Sequence, residues 1–234
     1  MKCAIMQPTY IPWSGFYNLI YNSDVFVFLD DVQFEHQSWQ TRNRVLSHGQ
    51  EILLSVPVKK HSLDTLIYDV KITEDQKWRK KHTKTIKQAY GKSSCYSDIY
   101  PYYEENIMDS STEYLSQLNI NLIKMFCKKL NIETKFILAS ELNCPGNRSE
   151  HVLNICNKVS ANEYISPLGA KDYIEEDKVL TESNINVIYQ NYNIQPYNQS
   201  GSKEFMSHMS VIDVIMSLGC DFARNYVVDG WKIK

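Results

Sequence analysis

The signatures of the commonest enzyme classes are missing from this chain of 234 residues. It has no GxGxxG turn, no GxxxxGK[ST] phosphate loop, no GxSxG nucleophile elbow and no HExxH helix, which removes the standard nucleotide, hydrolase and zinc-protease readings. Its six cysteines (Cys3, Cys95, Cys127, Cys144, Cys156 and Cys220) never fall at CxxC spacing, so no zinc knuckle, redox pair or other metal site is indicated. Buried free thiols are the expectation for most of them. A net charge of −2 offers nothing to a nucleic acid. The local basic run at 78–84 reads as a solvated helix face. No apolar run approaches the ~20 residues of a membrane span, and no leader of basic, apolar and small residues is visible. The expectation is a cytoplasmic protein that is not inserted in a membrane. No repeat and no low-complexity tract breaks the chain, which reads as one domain over residues 1–234.

What is abundant is tyrosine, with 16 residues clustered near 90–103 and 189–197. A phenol couples an apolar body to a polar tip, and so suits a ligand rich in hydroxyls as well as a core. The opening is unusual too. A short apolar segment runs into Gln7-Pro8-Thr9-Tyr10-Ile11-Pro12-Trp13-Ser14-Gly15-Phe16. The two prolines lower the entropy of holding the rings in one shape, so the stretch reads as one wall of a small-molecule site.

Apolar periodicity predicts strands at 2–6, 25–29, 135–139, 164–166 and 186–190, with helices at 14–21, 78–90, 112–130, 149–159 and about 171–180. Ser149 is the expected cap of the fourth of these. A further strand pair is expected within 51–72, formed by 51–58 and 67–72 around a polar connection. A last helix runs from a cap at Ser210 to Gly219, with Asp213 reaching back to the cap amide. Short strands interleaved with helices indicate an α/β fold, a mostly parallel sheet flanked by helices, with ligands at the carboxyl ends of the strands.

Asp30 and Asp31 emerge at one such end. Adjacent carboxylates on an extended chain point to opposite sides, so one faces the site as general base while the other caps or pairs. Gln33, His36, Trp39, Arg42, Asn43 and Arg44 follow closely, and a guanidinium fork there suits phosphate or carboxylate. His36 and His208 are the histidines placed to move a proton near neutral pH. Residues 164–173 read as strand, glycine turn and helix start, where Gly169, Lys171 and Tyr173 would meet an anion.

Taken together, the opening motif, Asp30-Asp31-Val32-Gln33-Phe34, Ser38-Trp39 with Arg42-Asn43-Arg44, Val56-Pro57-Val58, Tyr164-Ile165-Ser166 with Gly169-Ala170-Lys171-Asp172-Tyr173, and Ser210-Val211-Ile212-Asp213 with Leu218-Gly219 resemble the WbqC-like family over almost the whole length. Two places depart from that pattern: Ser166-Pro167-Leu168 stands where the family tends to glycine, and Ser207-His208 where a proline is expected. The resemblance implies work on sugars or sugar nucleotides in bacterial surface-polysaccharide (O-antigen) synthesis. With the residues above, the expectation is an acyl or aminoacyl transferase acting on a nucleotide-linked amino sugar. Asp31, with Asp30 or His36, would deprotonate the amine and Arg42 would hold the diphosphate. Tyr10 and Trp13 would stack on a ring, and Gln7, Gln33, Trp39 and Asn43 would line the site. No cofactor is identified. The alternatives are a non-catalytic glycan or sugar-nucleotide binding protein and a nucleotidyltransferase-like enzyme, whose strand, proline loop and helix the opening shares without its paired histidines.

Overall fold

Five short segments, mostly apolar and largely buried on both faces at the centre, pair into one parallel sheet. The computed structural model describes residues 1–233. Its elements run β1 (Lys2–Met6), α1 (Ser14–Asn22), β2 (Val25–Phe28), β3 (Arg42–Ser47), β4 (Gln50–Ser55), α2 (Lys77–Tyr90), α3 (Tyr96–Met108), α4 (Leu115–Lys129), β5 (Lys135–Leu138), α5 (Ala139–Leu142), α6 (Arg148–Lys158), β6 (Glu163–Pro167), α7 (Lys171–Asp177), β7 (Asn186–Gln190), α8 (Val211–Leu218) and α9 (Cys220–Asp229).

The sheet order is β5-β2-β1-β6-β7, every neighbour parallel. From β1 the chain therefore steps outward through β2 and β5, returns to the centre, and steps the other way through β6 and β7. The direction reverses between β1 and β6. Crevices form at such a reversal because the flanking loops part to opposite faces of the sheet.

Strand alternation splits the core in two. Ala4, Phe26 and Phe28 face one layer, with α1, α2, α3, α4 and α8; Cys3, Ile5, Val25 and Val27 face the other, with α6 and α7. All six cysteines are free thiols. No helix among the described residues is long and apolar enough to cross a membrane.

The basic run 78–84 is not a wholly solvated face, since Arg79 and His82 are buried and Arg79 donates to the Ile107 and Thr112 carbonyls. Four details of the elements also differ from the sequence expectations. The strand 51–58 does not pair with 67–72 along its length; β4 folds back on β3 as an antiparallel hairpin, through His48 and Gly49 at φ 51° and 74°. Two successive left-handed residues make the turn whose twist matches the strands, and a side chain at position 49 would strike the Gly201 carbonyl. Residues 67–69 form a 3-10 turn, and only Val58 bridges Ile72. Second, the tyrosine-rich segment 96–108 is helical despite Pro101, because Ile99, Tyr103 and Ile107, four apart, are all fully buried. Third, Asn147 occupies the cap position before α6, and Ser149 lies inside the helix with its hydroxyl unpartnered. Fourth, the helix that Ser210 caps is not the last, since α9 follows directly after Gly219.

Candidate functional site

The proline-rich turn after β1 is held in a strained shape by three separate elements. Ile11 is fully buried at φ 35°, a value that a β-branched residue avoids and that persists only where the surroundings impose it. Asn43 on β3 donates to the carbonyls of both Tyr10 and Ile11, at 3.0 and 3.1 Å. Asn119 on α4 donates to Pro8 O at 3.0 Å, and the Val211 amide at the start of α8 donates to Pro12 O at 2.9 Å. Asn43 thus holds the turn's backbone, and it also lines the hollow between Trp13 and Trp39.

Around this turn lie two adjoining hollows that share Met6, Thr9 and Trp39. The first, of about 330 Å³, opens over the carboxyl ends of β1, β2 and β6, and Gln7, Leu29, Trp39, Gln40, Pro167 and Tyr173 line it. That is the crevice of the strand-order reversal. The second, of about 270 Å³, lies between Trp13 and Trp39, with Arg44 and His208 on its wall. Trp39 is half exposed at 52% and stands between them.

At the first hollow two amides meet. Gln40, 1% exposed, donates from Nε2 to Gln7 Oε1 at 2.9 Å, while its own Oε1 is buried with no partner. A buried acceptor left unpaired costs about 1–3 kcal/mol.

In the second hollow the Trp13 indole folds back over Gly15, with His208 tilted against it at 4.9 Å and Tyr192 edge-on at 5.3 Å. A Cβ on Gly15 would lie 2.2 Å from the indole, which accounts for glycine two residues after tryptophan in the opening motif. Gly15→Ala is expected to displace the ring and change the near-ultraviolet circular dichroism. Unfolding free energy should stay within about 1 kcal/mol, since alanine in a helix regains 0.5–1 kcal/mol over glycine. An unchanged aromatic spectrum would refute this packing.

Arg44 organises the wall. It pairs with Glu51 at 3.1 Å, lies over the Trp39 ring at 5.5 Å, and donates to the His208 carbonyl at 3.2 Å. His208 meets only Ser207 Oγ, through Nδ1 at 3.0 Å. Burial, with the Arg44 charge beside it, lowers His208 below the ordinary histidine value of 6.5. The ring is therefore neutral at physiological pH. Arg42, two residues earlier on the same face of β3, forms no ion pair among the described residues.

Other expected residues lie elsewhere. Tyr10 is not part of the wall; it is fully buried, its hydroxyl 2.8 Å from His82 Nδ1. Burial holds His82 down to about 4, so that partner is a neutral imidazole. Asp30 is buried and accepts from the Ser140 amide and hydroxyl at 2.9 and 2.8 Å, holding the start of α5. Burial raises its carboxyl above the usual range, while the Ser140 bonds pull the other way. Asp31 turns the opposite way, as adjacent residues on an extended chain must, and meets His151 Nε2 at 3.1 Å. The other nitrogen of His151 faces Pro145 O at 3.4 Å, so both ring nitrogens point at acceptors. Nothing in the sequence pattern linked His151 to Asp31, 120 residues earlier.

His36 is exposed and stacks on His61 at 5.7 Å, and Gln33 donates to Leu63 O at 2.8 Å; both tie one loop to another rather than lining the cleft. The glycine turn is not an anion cradle. Gly169 has an ordinary φ and open space where a Cβ would stand, α7 spans only 7 residues, and Lys171 is engaged with Glu175 at 3.7 Å and the Tyr189 ring. Tyr173, from the same segment, does line the first hollow.

Fold and cleft together define a doubly wound α/β protein with a crevice at its strand-order reversal. The chain belongs to the WbqC-like protein family, whose profile matches residues 7–225. It is also similar to the uncharacterized protein Rv1507c of Mycobacterium tuberculosis (strain ATCC 25618 / H37Rv), 28% identical over 222 residues that cover 94% of this chain and 95% of that protein. No solved structure matches the chain.

Proposed function

We propose that the chain binds a nucleotide-linked amino sugar across the two hollows and transfers an acyl or aminoacyl group to the sugar amine, in bacterial surface-polysaccharide synthesis. One observation carries the reading: at the reversal crevice, beside the half-exposed Trp39 ring, the Gln7–Gln40 amide pair leaves a buried acceptor without a donor. Sugar hydroxyls and amines are such donors, and the apolar face of a pyranose stacks on an indole. The adjoining hollow between Trp13 and Trp39, with His208 on its wall, takes the edge of the sugar that carries the amine together with the acyl donor, and Arg42, on the same face of β3 as Arg44, is the cation for the phosphates.

His208 is the base that the geometry favours. Its Nε2 makes no hydrogen bond among the described residues, and it takes the one proton that the neutral sugar amine sheds as its nitrogen adds to the acyl carbonyl; collapse of the adduct expels the donor's leaving group, which takes up that proton from His208. Asp31, partnered with His151, anchors the end of β2 to α6.

The test is incubation of the purified protein with uridine diphosphate-linked amino sugars and a panel of coenzyme A thioesters and aminoacyl donors, read by mass spectrometry. A product heavier by one acyl group is the expected result. Binding of the nucleotide sugar without product across the panel would favour the non-catalytic reading, and release of pyrophosphate from a nucleoside triphosphate would favour nucleotidyl transfer.

A further inference from the structure

A second crevice, of about 430 Å³, opens at the same end of the sheet between the edge strand β5 and α4. It shares no lining residue with the two hollows already described. Three features of it point to one ligand chemistry. Tyr68, 37% exposed, and Tyr114 present rings toward it. Gln117, Asn121 and Lys124 fall four and three residues apart on the exposed stripe of α4, so two carboxamides and an ammonium line one wall at helical spacing. The opposite wall is β5 itself, outermost in the sheet, whose outward backbone amides and carbonyls pair with no other strand. Its ionisable lining groups are Lys124 on one side and Glu141 with the buried Asp30 on the other, so no excess of positive charge is present. Phosphates and carboxylates have no net field to bind there.

We infer that this crevice is a second binding site, specific for a neutral pyranose. Tyrosine supplies the flat apolar surface for the ring's C–H face, and carboxamides and open strand edges supply paired donors and acceptors for adjacent hydroxyls. The volume lies within the range of small-ligand sites. Asp30 connects the crevice to the rest of the fold. Its carboxylate forms part of the crevice lining through Ser140, while its neighbour Asp31 reaches α6 on the other side of the sheet. The inference stands on this crevice alone and does not require the transfer reaction.

The test is saturation-transfer NMR and calorimetric titration of the full chain with free glucose, galactose and N-acetylglucosamine, and separately with uridine diphosphate N-acetylglucosamine. At least one free sugar is expected to bind with a Kd of about 1 mM or better, as a few hydrogen bonds and one stacked ring provide. Tyr68→Ala with Asn121→Ala should weaken it at least 10-fold, whereas Trp39→Ala should leave it unchanged; Tyr68 and Asn121 are exposed positions, and thermal unfolding of the variants checks the fold. No binding of any free pyranose, or binding lost in Trp39→Ala and retained in the double variant, would overturn the inference. A peptide lying on the open edge of β5 would give that first outcome. The nucleotide-sugar arm reports on the cleft at Trp39, so its failure is separable from failure at the crevice.

Discussion

Replacement of Asp213 by Ala is expected to destabilise the protein by about 3–5 kcal/mol, the loss of three buried hydrogen bonds to one carboxylate at about 1.5–3 kcal/mol each, partly offset by relaxation of the donors. The carboxylate is fully buried on α8. It accepts from Tyr90 Oη and Tyr197 Oη, both at 2.7 Å, and from Gln199 Nε2 at 3.0 Å, and no cation pairs with it among the described residues. Tyr90 Oη in turn accepts from the Leu46 amide at 2.9 Å, so one side chain ties α8 to α2, to β3 and to the segment before α8. Removing it leaves the Tyr90 and Tyr197 hydroxyl protons without their acceptor, while Gln199 Nε2 keeps the Met206 carbonyl. At 2–4 °C per kcal/mol for a chain of this size, the unfolding midpoint should fall by about 10 °C. Asp213→Asn should cost less, because a phenol hydroxyl can rotate to accept from the new amide. The network also fixes a pH dependence. Burial, with Asp213 beside them, holds Tyr90 and Tyr197 well above 10, so their contribution is complete below the unfolded tyrosine value and is lost as pH rises above it, where the unfolded chain alone ionises. Denaturant titrations at several pH values would check both; an alanine variant within about 1 kcal/mol of the parent would sink the assignment.

His208→Ala should lower the rate of the proposed acyl transfer by about 10²–10³-fold with little effect on stability, since the side chain is only partly covered, by the Trp13 ring, Ser207 and the nearby Arg44. A base acts when unprotonated. Because burial and Arg44 depress the imidazole, the parent rate should be flat from neutral pH down to below 6.5 and fall only at more acid values, and that acid limb should vanish in the variant. Arg44→Gln removes the charge that helps depress His208, so the limb should move toward 6.5. A pH profile identical in parent and His208→Ala would transfer the role to another group.

Much of this architecture was readable from periodicity. Strands β1, β2, β5 and β7, each an uninterrupted apolar run, sit within a residue of their expected bounds, and α4 was evident from leucines three and four apart. The Ser210 cap was legible because a cap is a local event: its hydroxyl accepts from the Ile212 amide. The companion role given to Asp213 was not, since the phenols that bind it lie at 90 and 197 and no short-range pattern announces them. The same holds for β3, whose alternating Arg42-Asn43-Arg44 looked like a ligand cluster and is a hairpin strand with one residue inward and two outward.

The sequence by itself determined the alternation of strand and helix, the parallel pairing and the rigid aromatic turn, because each depends on spacing along the chain. Tertiary structure alone decided which side chains meet. It buried Tyr10, turned Asp30 to Ser140 and Asp31 to His151, and assembled the cleft from Gln7, Trp39, Gln40, Arg44 and His208. The physical reason is that a direction of 180° between adjacent strand residues fixes only that two carboxylates part. What each one finds is set by sheet order and by helices more than a hundred residues away.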